Sequence, residues 1–399
     1  MNKAILVLNA GSSSIKFGIY TVAANDTTLH HIYRGQIDGI AEQTRFVVEQ
    51  IQADGIETMV TDDDTALASH EAALSVLLAW LDAQAADFKF IAVGHRIVHG
   101  GQLFSEAIVI DADVLSKLES LIPLAPLHQP HNLAAIKAFN RLAPGLMQIA
   151  CFDTAFHHSM PDVAQRFALP YTLTEQGIRP YGFHGLSYEY IASVLPEYET
   201  SAAKGRVIVA HLGNGASLCA MVGLRSVATT MAFTPLDGVP MATRCGTLDP
   251  GVMLYLMTEF GMSVAAVSEL LHNKSGLLGI SGISGDMREL LASKQPRAAE
   301  AVDQFVYRVA REIGSLAVAA GGIDTLVFTG GIGERSSIIR QRISQQLAWL
   351  GVDIDQSKNE AGNSKISSSD SPISVWTIPT NEELVIAKHS FAIAQLAAV

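Results

Sequence analysis

Two segments of the chain, 202 residues apart, share one pattern of residue types. Residues 4–20, AILVLNAGSSSIKFGIY, and residues 206–222, RVIVAHLGNGASLCAMV, each contain an apolar run, a turn of glycine and small polar residues, and a second apolar run. Asn9 and Gly11 of the first segment correspond to His211 and Gly213 of the second. A self-similarity at an offset of about half of the 399 residues predicts a duplicated protein with two lobes, in which a turn from each lobe faces one cleft.

Apolar runs typical of strands alternate with helical patterns along the chain, which predicts an α/β architecture. Strands are predicted at 4–9, 16–20, 89–94, 146–152, 206–212, 217–222 and 325–329, and helices at about 67–86, 111–121, 131–142, 335–350 and from about 382 onward. A further long helix is predicted where apolar residues recur on one face, at Val302, Phe305, Val309, Ile313 and Leu316.

Charge and composition exclude several classes of protein. The formal net charge is −12 and basic residues form no cluster, which argues against nucleic acid as a partner. Every apolar run is interrupted before the roughly 18 residues that a membrane span needs, and the first residues lack a signal-peptide cleavage pattern. The three cysteines form no CxxC pair, so a reducing cytoplasm is the expected location.

Three glycine-containing turns have the composition that binds phosphate, because glycine lets backbone N–H groups approach an anion closely. They are residues 9–16, 211–215 and 330–334, and the third lies between a predicted strand and a predicted helix. The chain contains neither a P-loop sequence nor a protein-kinase catalytic loop. A dinucleotide fingerprint at residues 330–336 lacks its third glycine.

Several ionisable residues lie in apolar or glycine-rich surroundings. His95 and His99 have the spacing of a zinc-protease helix, but Arg96 stands where that motif needs glutamate, and glycines follow at once, so we reject a metal hydrolase. Arg96 and Arg244 lie in glycine-rich turns, where a buried arginine needs an anionic partner. Asp153 ends a strand and Glu382 begins a helix, so both are candidate Mg²⁺ ligands; for Glu382, a charge that favours the helix N-terminus is the alternative.

Together these strings resemble the acetate kinase family, to which the propionate kinases are closely related. The motifs that carry the resemblance are LVLNAGSSSIKF, GHRIVHGG, FDTAFHHSMP, YGFHGLSY, HLGNGAS, FTPLDG with the following TR and LDPG, GGIGE and PTNEEL. The resemblance implies a duplicated two-domain actin/hexokinase/Hsp70-like (ribonuclease H-like) α/β fold with an interdomain nucleotide cleft. It also implies an N-terminal lobe of residues 1–152 plus 385–399, a C-terminal lobe of residues 153–384, and a homodimer.

The resemblance further implies reversible transfer of the ATP γ-phosphate to acetate, giving ADP and acetyl phosphate, with propionate as the alternative acceptor. Mg²⁺, with Mn²⁺ as an alternative, would be held by Asn9 and Glu382. The implied ATP contacts are Lys16, His211, Leu212, Gly213, Asn214, Gly215, Asp286, Met287, Arg288, Gly330, Gly331, Ile332, Gly333 and Glu334. The implied catalytic residues are Asp153, His184 and Arg244, and the implied acceptor site is Arg96 with an acyl pocket of Val98, Leu127, Phe183 and Pro235.

The chain departs from the family pattern around Arg244, where Ala242, Cys245 and Thr247 replace a glycine, a serine and an acid, and at Gly285, where many members have serine. The expected chemistry needs no general base, because a carboxylate acceptor is already ionised at neutral pH. Asp153 is therefore expected to orient Mg²⁺ or an arginine. An Hsp70-like ATPase would need a peptide-binding domain, and a sugar kinase would need a base and a polar pocket.

Overall fold

The structure, a computed structural model, describes residues 2–11, 14–23, 27–40, 44–52, 55–61, 67, 69–84 and 88–397. Contacts divide the chain into two compact units. Unit 1 comprises Met1–Ala155 and Asn381–Val399, and unit 2 comprises Phe156–Thr380. The predicted domain boundaries at 152 and 384 stay a prediction, and residues 12 and 13 of the first predicted turn lie outside the described residues.

The described part of unit 1 forms one mixed sheet with helices. Its strands are β1 (Asn2–Ala10), β2 (Ser14–Val22), β3 (His30–Asp38), β4 (Arg45–Gln52), β5 (Gly55–Thr61), β6 (Phe88–Ile97), β7 (Ile108–Val109) and β8 (Met147–Phe152), in the order β5-β4-β3-β2-β1-β6-β8-β7. Its helices are α1 (His70–Gln84), α2 (Ala112–Ser120), α3 (Gln129–Leu142) and the C-terminal helix (Glu382–Leu396). Gly94 of β6 lets the C-terminal helix pack closely, because a Cβ at this position would collide with Ile386 and Ser390.

Unit 2, all of whose residues are described, has a second mixed sheet. Its strands are β9 (Arg206–Leu212), β10 (Ala216–Val222), β11 (Arg225–Thr229), β12 (Thr325–Thr329) and β13 (Ser374–Thr377), in the order β11-β10-β9-β12-β13. Its helices are α4 (Tyr171–Glu175), α5 (Gly185–Tyr198), α6 (Pro250–Thr258), α7 (Val264–Asn273), α8 (Gly276–Ser281), α9 (Met287–Ala292), α10 (Pro296–Ala320), α11 (Gly330–Arg335), α12 (Ser337–Gln346) and α13 (Gln356–Glu360).

The two sheets share a strand order and strand directions. In unit 1, β1 is antiparallel to β2 and parallel to β6, which is parallel to β8. In unit 2, β9 is antiparallel to β10 and parallel to β12, which is parallel to β13. The repeated sequence segments form the corresponding hairpins, so the predicted duplication is confirmed.

Most of the predicted elements agree within a few residues with observed ones, but no prediction was made for β3, β4, β5, β7, β11, β13, α4–α9 or α13. The apolar face predicted for the long helix is buried in α10, which begins at Pro296 and ends before Gly321 in the left-handed conformation (φ 72°). His95 and Arg96 lie on strand β6, where the spacing of a zinc-protease helix has no meaning. Within the described ranges, no helix combines the length and apolar character needed to cross a bilayer.

The prediction of a glycine turn at residues 330–334 was wrong, whereas the helix predicted near 335–350 corresponds to α12 and a short 3-10 helix at Ala348–Leu350. The glycine segment is itself helical as α11, and α12 ends at Gln346. Gly330 has φ 76°, and a Cβ there would lie 2.8 Å from the Leu212 carbonyl oxygen. Glycine thus allows α11 to start directly against the end of β9.

Candidate active site

The ends of three parallel strands in unit 1 bring an amide, a guanidinium and a carboxylate together. Asn9 lies near the end of β1, Arg96 near the end of β6, and Asp153 directly after β8. Arg96 Nε donates to Asp153 Oδ1 at 3.0 Å and Nη2 donates to Asp153 Oδ2 at 2.6 Å, while Nη1 donates to Asn9 Oδ1 at 3.3 Å. The carboxyl ends of parallel strands meet at one edge of a sheet, which explains how residues 57 and 87 positions apart converge.

Burial and charge tie Arg96 to its carboxylate neighbours. Asp153 is only 2% exposed, and Glu382 Oε2 lies 3.8 Å from Arg96 Nε. Burial alone would lower the pKa of Arg96, but the negative charges of Asp153 and Glu382 outweigh it and raise the pKa above its usual value. Arg96 is therefore a fixed cation, and its bidentate pairing occupies one edge of the guanidinium.

The oxygen donors around Arg96 fit a hard divalent cation. Asn9 offers an amide oxygen and Glu382 a carboxylate oxygen, which are the ligand types that Mg²⁺ takes. Two carboxylates around one guanidinium leave one negative charge in excess, which favours a bound cation. Among the described residues, no group of three or more His, Cys, Asp or Glu forms a metal cluster. A Mg²⁺ ion here would thus depend on few protein ligands plus water or substrate oxygens.

Asn132, which the sequence did not suggest, joins two strand ends beside this cluster. Its Nδ2 donates to the Ala10 carbonyl at 2.8 Å, and its Oδ1 accepts from the Val98 N–H at 3.1 Å. The side chain is 3% exposed. Because it satisfies the carbonyl of the last residue of β1 and the N–H of the first residue after β6, Asn132 fixes the positions of Asn9 and Arg96.

The remaining predicted residues of unit 1 have varied surroundings. Lys16 is exposed and pairs with Asn9 across the β1–β2 hairpin. Val98 is buried at 5% exposure, whereas Leu127 is 48% exposed. Phe183 and Pro235 of the predicted acyl pocket belong to unit 2, so the grouping of the four residues into one pocket stays a prediction.

A cavity of about 560 Å³ in unit 2 brings three predicted nucleotide-binding segments together. Its lining residues follow β9, lie on α9 or directly before it, and lie on α11 or directly after it. They are Gly213, Asn214, Gly285, Asp286, Met287, Arg288, Leu291, Ala292, Gly331, Ile332, Arg335 and Ser336. The sequence did not suggest Leu291, Ala292, Arg335 and Ser336. The helical repeat could have indicated Leu291, which lies one turn after Met287 on α9.

Asp286 and Arg288 are paired at the edge of this cavity. Asp286 caps α9 by accepting from the Arg288 N–H at 2.8 Å, and Arg288 Nη2 donates to its Oδ2 at 2.5 Å. These hydrogen bonds from Arg288 lower the pKa of Asp286 to about 2. The pair is therefore ionised at neutral pH, with the Arg288 side chain 87% exposed.

The third predicted phosphate turn is held by its own glutamate. Glu334 Oε1 accepts from the Gly330 N–H at 3.0 Å and from the Thr380 N–H at 3.2 Å. The Gly330 amide is thus engaged inside the turn, while Gly331 and Ile332 line the cavity. The phosphate contacts assigned to Gly330, Gly333 and Glu334 stay a prediction.

Arg340, which the sequence also did not suggest, is buried behind this turn at 2% exposure. Its Nη1 donates to the carbonyls of Gly333 and Glu334 at 2.9 and 2.8 Å, and its Nε and Nη2 donate to Asn359 Oδ1 and O at 2.8 and 3.0 Å. Burial lowers its pKa. The guanidinium satisfies carbonyls at the end of α11 and holds this helix in place.

Backbone hydrogen bonds fix the loop that carries Arg244. The Leu277 and Leu278 amides donate to the Met241 and Ala242 carbonyls at 2.8 and 2.9 Å, and the Ala242 N–H donates to Asn214 O at 3.2 Å. Arg244 Nη1 donates to the Pro235 carbonyl at 3.1 Å. A second cavity of about 400 Å³ is lined by Asn214, Gly215, Ala242, Thr243, Arg244, Gly285 and Asp286. The Arg244 loop thus adjoins the glycine turn after β9.

Two of the family departures touch each other. A Cβ on Gly285 would lie 2.8 Å from the Ala242 carbonyl oxygen and 3.2 Å from the Ala242 Cβ. Compared with the family pattern that the resemblance implies, position 242 has an added methyl group and position 285 has no side chain, so the two departures offset each other in volume. Thr247, another departure, donates through Oγ1 to Asp237 Oδ1 at 2.7 Å and closes the base of the loop.

His184 and His211 lie side by side next to the 213–215 turn. Their ring centroids are 4.4 Å apart with an interplanar angle of 25°. His184 caps α5 with a left-handed backbone (φ 57°), which is uncommon for a residue other than glycine and is found most often at functional sites. Gly330 has the left-handed conformation too, but there the close approach of Leu212 accounts for it.

The paired sheets and the groups at their strand ends place the protein among the duplicated two-domain α/β proteins of the actin/hexokinase-like fold. Within that class, the chain belongs to the acetokinase family, whose model matches residues 4–388.

Relatives match over nearly the whole chain. A Rhodopseudomonas palustris protein named acetate kinase is 54% identical over 400 residues, covering 99% of each chain. Among solved structures, a propionate kinase from Francisella tularensis has a TM-score of 0.89 at 39% identity, covering 98% of this chain and 99% of its own. Acetate kinase from Porphyromonas gingivalis has a TM-score of 0.85 at 35% identity, with the same coverage.

Proposed function

We propose that the protein transfers the γ-phosphoryl group of ATP reversibly to the carboxylate of acetate, giving acetyl phosphate and ADP. The observation that carries this proposal is the Arg96–Asp153 pair. It fixes a guanidinium where three parallel strands end, with Asn9 and Glu382 close to it. Identities of 46–54% over almost the full chain to proteins named acetate kinase support it.

The chemistry asks for charge neutralisation, since an anionic acceptor must approach an anionic phosphoryl group. Arg96 uses three of its five N–H donors on Asp153 and Asn9, and the other two suit an acetate oxygen. Asp153 accepts hydrogen bonds from Arg96 at both carboxylate oxygens. Acetate is already ionised, so it has no proton for Asp153 to remove. We therefore assign Asp153 to holding Arg96 and not to general base catalysis.

We assign the nucleotide to the cavity of unit 2. The 213–215 turn and Gly331 supply backbone groups suited to phosphate, and the apolar Met287 and Leu291 suit a base. Arg244 and His184 would stabilise charge on the transferred phosphoryl group. Mg²⁺, when bound by Asn9 and Glu382, would neutralise phosphate charge and help to align it.

Hydroxamate trapping of the acyl phosphate tests the acceptor. With ATP and Mg²⁺, acetate should give a higher kcat/KM than propionate or butyrate, and glycerol should consume no ATP. One methylene in an apolar pocket is worth about 1–3 kcal/mol, so the preference over propionate should be roughly 10 to 200-fold. A preference for propionate would favour the propionate kinase alternative, and phosphorylation of glycerol would favour a sugar kinase.

Val98→Ala probes the acyl pocket. If Val98 limits chain length, removing its two methyl groups should raise kcat/KM for propionate relative to acetate, by up to the roughly 0.8 kcal/mol of one buried methylene. Val109→Ala, at an exposed valine of β7, is the matched control and should leave the ratio unchanged. An unchanged ratio in Val98→Ala would remove Val98 from the pocket.

A homodimer in the cytoplasm completes the proposal. The surface of α6 and α7 is apolar and exposed at Val252, Leu254, Tyr255, Met257, Phe260 and Val264. An exposed apolar face of this kind would be covered if it packed against the same face of a second copy of the chain. Sedimentation should show a dimer that Leu254→Glu weakens. Cytoplasmic location is supported by three free cysteines, of which Cys151 and Cys219 are buried.

A further inference from the structure

A line of buried hydroxyl groups leads to the His184 ring. The Tyr188 hydroxyl oxygen lies 2.5 Å from Ser217 Oγ, which lies 2.8 Å from His184 Nδ1. Tyr188 and Ser217 are each 0% exposed. Tyr188 lies one turn after His184 on α5, and Ser217 on β10 pairs directly with His211 on β9. Two different elements therefore fix the same ring nitrogen.

The other ring nitrogen has a different environment. A Cβ on Gly215 would lie 3.3 Å from His184 Nε2 and 3.8 Å from Arg244 Nη1. His184 Nε2 therefore faces the 213–215 turn, beside the guanidinium of Arg244. Since a neutral imidazole carries one proton, the choice of tautomer decides whether this face offers a donor or an acceptor.

The acidities of the Tyr188 and Ser217 hydroxyl groups bear on the tautomer of His184. Either hydroxyl oxygen of the Tyr188–Ser217 pair could be the donor, and the greater acidity of a phenol, with a pKa near 10, favours Tyr188 as the donor to Ser217. With Tyr188 as the donor, the single proton of Ser217 points toward His184 Nδ1, which then accepts it as a hydrogen bond. In this arrangement the proton of a neutral His184 ring resides on Nε2.

We propose that Ser217 and Tyr188 are positioning residues that hold neutral His184 as its Nε2–H tautomer, so that the ring donates to the phosphoryl group beside the 213–215 turn. The proposal rests on the proposed phosphoryl transfer. It assigns no proton transfer to these residues, because a carboxylate acceptor requires none.

The neighbouring histidine is held in the same manner. His211 Nδ1 lies 2.8 Å from Ser187 Oγ, which lies 2.8 Å from Thr380 Oγ1. A Cβ on Gly213 would lie 3.8 Å from His211 Nε2, so this nitrogen also faces the turn. Two stacked rings 4.4 Å apart disfavour a positive charge on both rings at the same time.

Ser217→Ala and Tyr188→Phe test the proposal in the full-length enzyme. Ser217→Ala should lower kcat for acetyl hydroxamate formation by about 10 to 100-fold, the usual effect of losing a group that orients a functional histidine, with KM for ATP and acetate within about twofold. Tyr188→Phe should give a smaller loss of the same kind. Nitrogen-15 NMR of the histidine rings should show the Nε2–H form of His184 in the wild type and a mixture of tautomers in Ser217→Ala.

Ser226→Ala is the matched control. Ser226 is also 0% exposed, and its Oγ lies 2.9 Å from Nδ1 of His157, a buried histidine of the same unit that we assign no catalytic role. It should lower the melting temperature while leaving kcat and the His184 NMR signals unchanged. If Ser217→Ala does not fold, Tyr188→Phe carries the test, because it removes a single oxygen and keeps the packing.

Three results would overturn the proposal: wild-type kcat in both variants, an equal loss of kcat in Ser226→Ala, or an Nδ1–H tautomer of His184 in the wild type. Failure of the proposed function is distinguishable, because it would appear as no hydroxamate from the wild type with any carboxylate. The NMR measurement would then still decide whether Ser217 fixes the tautomer.

Discussion

At the strand ends of unit 1 the candidate groups are an amide and two charged side chains, whereas at the corresponding strand ends of unit 2 they are glycine backbone and imidazole rings. Asn9 lies near the end of β1 beside Arg96 and Asp153, and His211 near the end of β9 is followed by the 213–215 turn. The same strand order thus supports two kinds of site. The topology decides where functional groups meet, and the residues after each strand decide whether charge or shape dominates there.

Removing one arginine from each unit should have the largest effect. We expect Arg96→Ala and Arg244→Ala each to lower kcat by on the order of 10² to 10³. Arg96→Ala should also destabilise unit 1 by about 3–5 kcal/mol, because it leaves the buried Asp153 carboxylate without its guanidinium. Arg244 donates to the neutral Pro235 carbonyl, so its loss should cost less stability.

Hydroxamate assays and denaturant unfolding measure the two effects separately. Arg311→Ala, at a surface arginine of α10, is the control and should be neutral in both assays. Equal losses of stability in Arg96→Ala and Arg244→Ala would contradict the comparison, in which charged side chains form the site of unit 1 and backbone groups form much of the site of unit 2.

Adding a side chain to unit 2 should have an intermediate effect. Gly285→Ser places a Cβ against Ala242, and overpacking of this kind costs about 1–3 kcal/mol. The strain should displace the Arg244 loop and lower kcat/KM for ATP. Ala242→Gly in the same chain should restore part of the loss, which a double-mutant cycle would show as a favourable coupling.

Gly314→Ser is the control for that cycle, because the nearest atom to a Cβ on Gly314 is 3.9 Å away on Trp349. It should leave activity unchanged. An uncoupled pair, in which Ala242→Gly does nothing for Gly285→Ser, would show that the two positions do not compensate for each other in volume.

Alkylation of Cys245 should have the smallest effect. Burial raises the pKa of this thiol, so less thiolate is present at pH 7.5 than in free cysteine. Iodoacetamide should therefore modify Cys245 more slowly than N-acetylcysteine, with a rate that rises as the pH increases above 8. Cys245→Ser should remove the labelling and keep activity. Labelling faster than the free thiol would show that the loop opens or that Arg244 activates the sulfur.

Local patterns predicted the parts of the fold that depend on local physics. The strand–turn–strand repeat and the apolar face of α10 could be read directly, because burial imposes a period of two or 3.6 residues on the sequence. Resemblance to a family located the strings around Arg96, Asp153 and Arg244. That Asp153 binds Arg96 through both carboxylate oxygens could be learned only from the structure.

Buried polar residues were missed for a physical reason. Arg340, Asn132 and Ser217 lie in ordinary helical or strand patterns, and their partners are distant in sequence: Asn132 binds Ala10, 122 positions away. Hydrogen bonding between remote segments leaves no periodic signal. The glycines of α11 were misleading for a related reason. They suggested a turn, but the glycine at position 330 allows a helix to start against Leu212 of β9, a contact that local sequence does not reveal.

The discontinuity of unit 1 has a consequence for the order of synthesis. Its first 155 residues are separated from the C-terminal helix by the whole of unit 2, residues 156–380. At roughly 5–20 residues per second, a ribosome needs about 10–45 s to make that insertion. During this interval the surface of β6 that Ile386 and Ser390 cover stays open, because the C-terminal helix is made only after unit 2 is complete. Nascent chains of this length would therefore be natural clients for chaperones that shield an unfinished sheet.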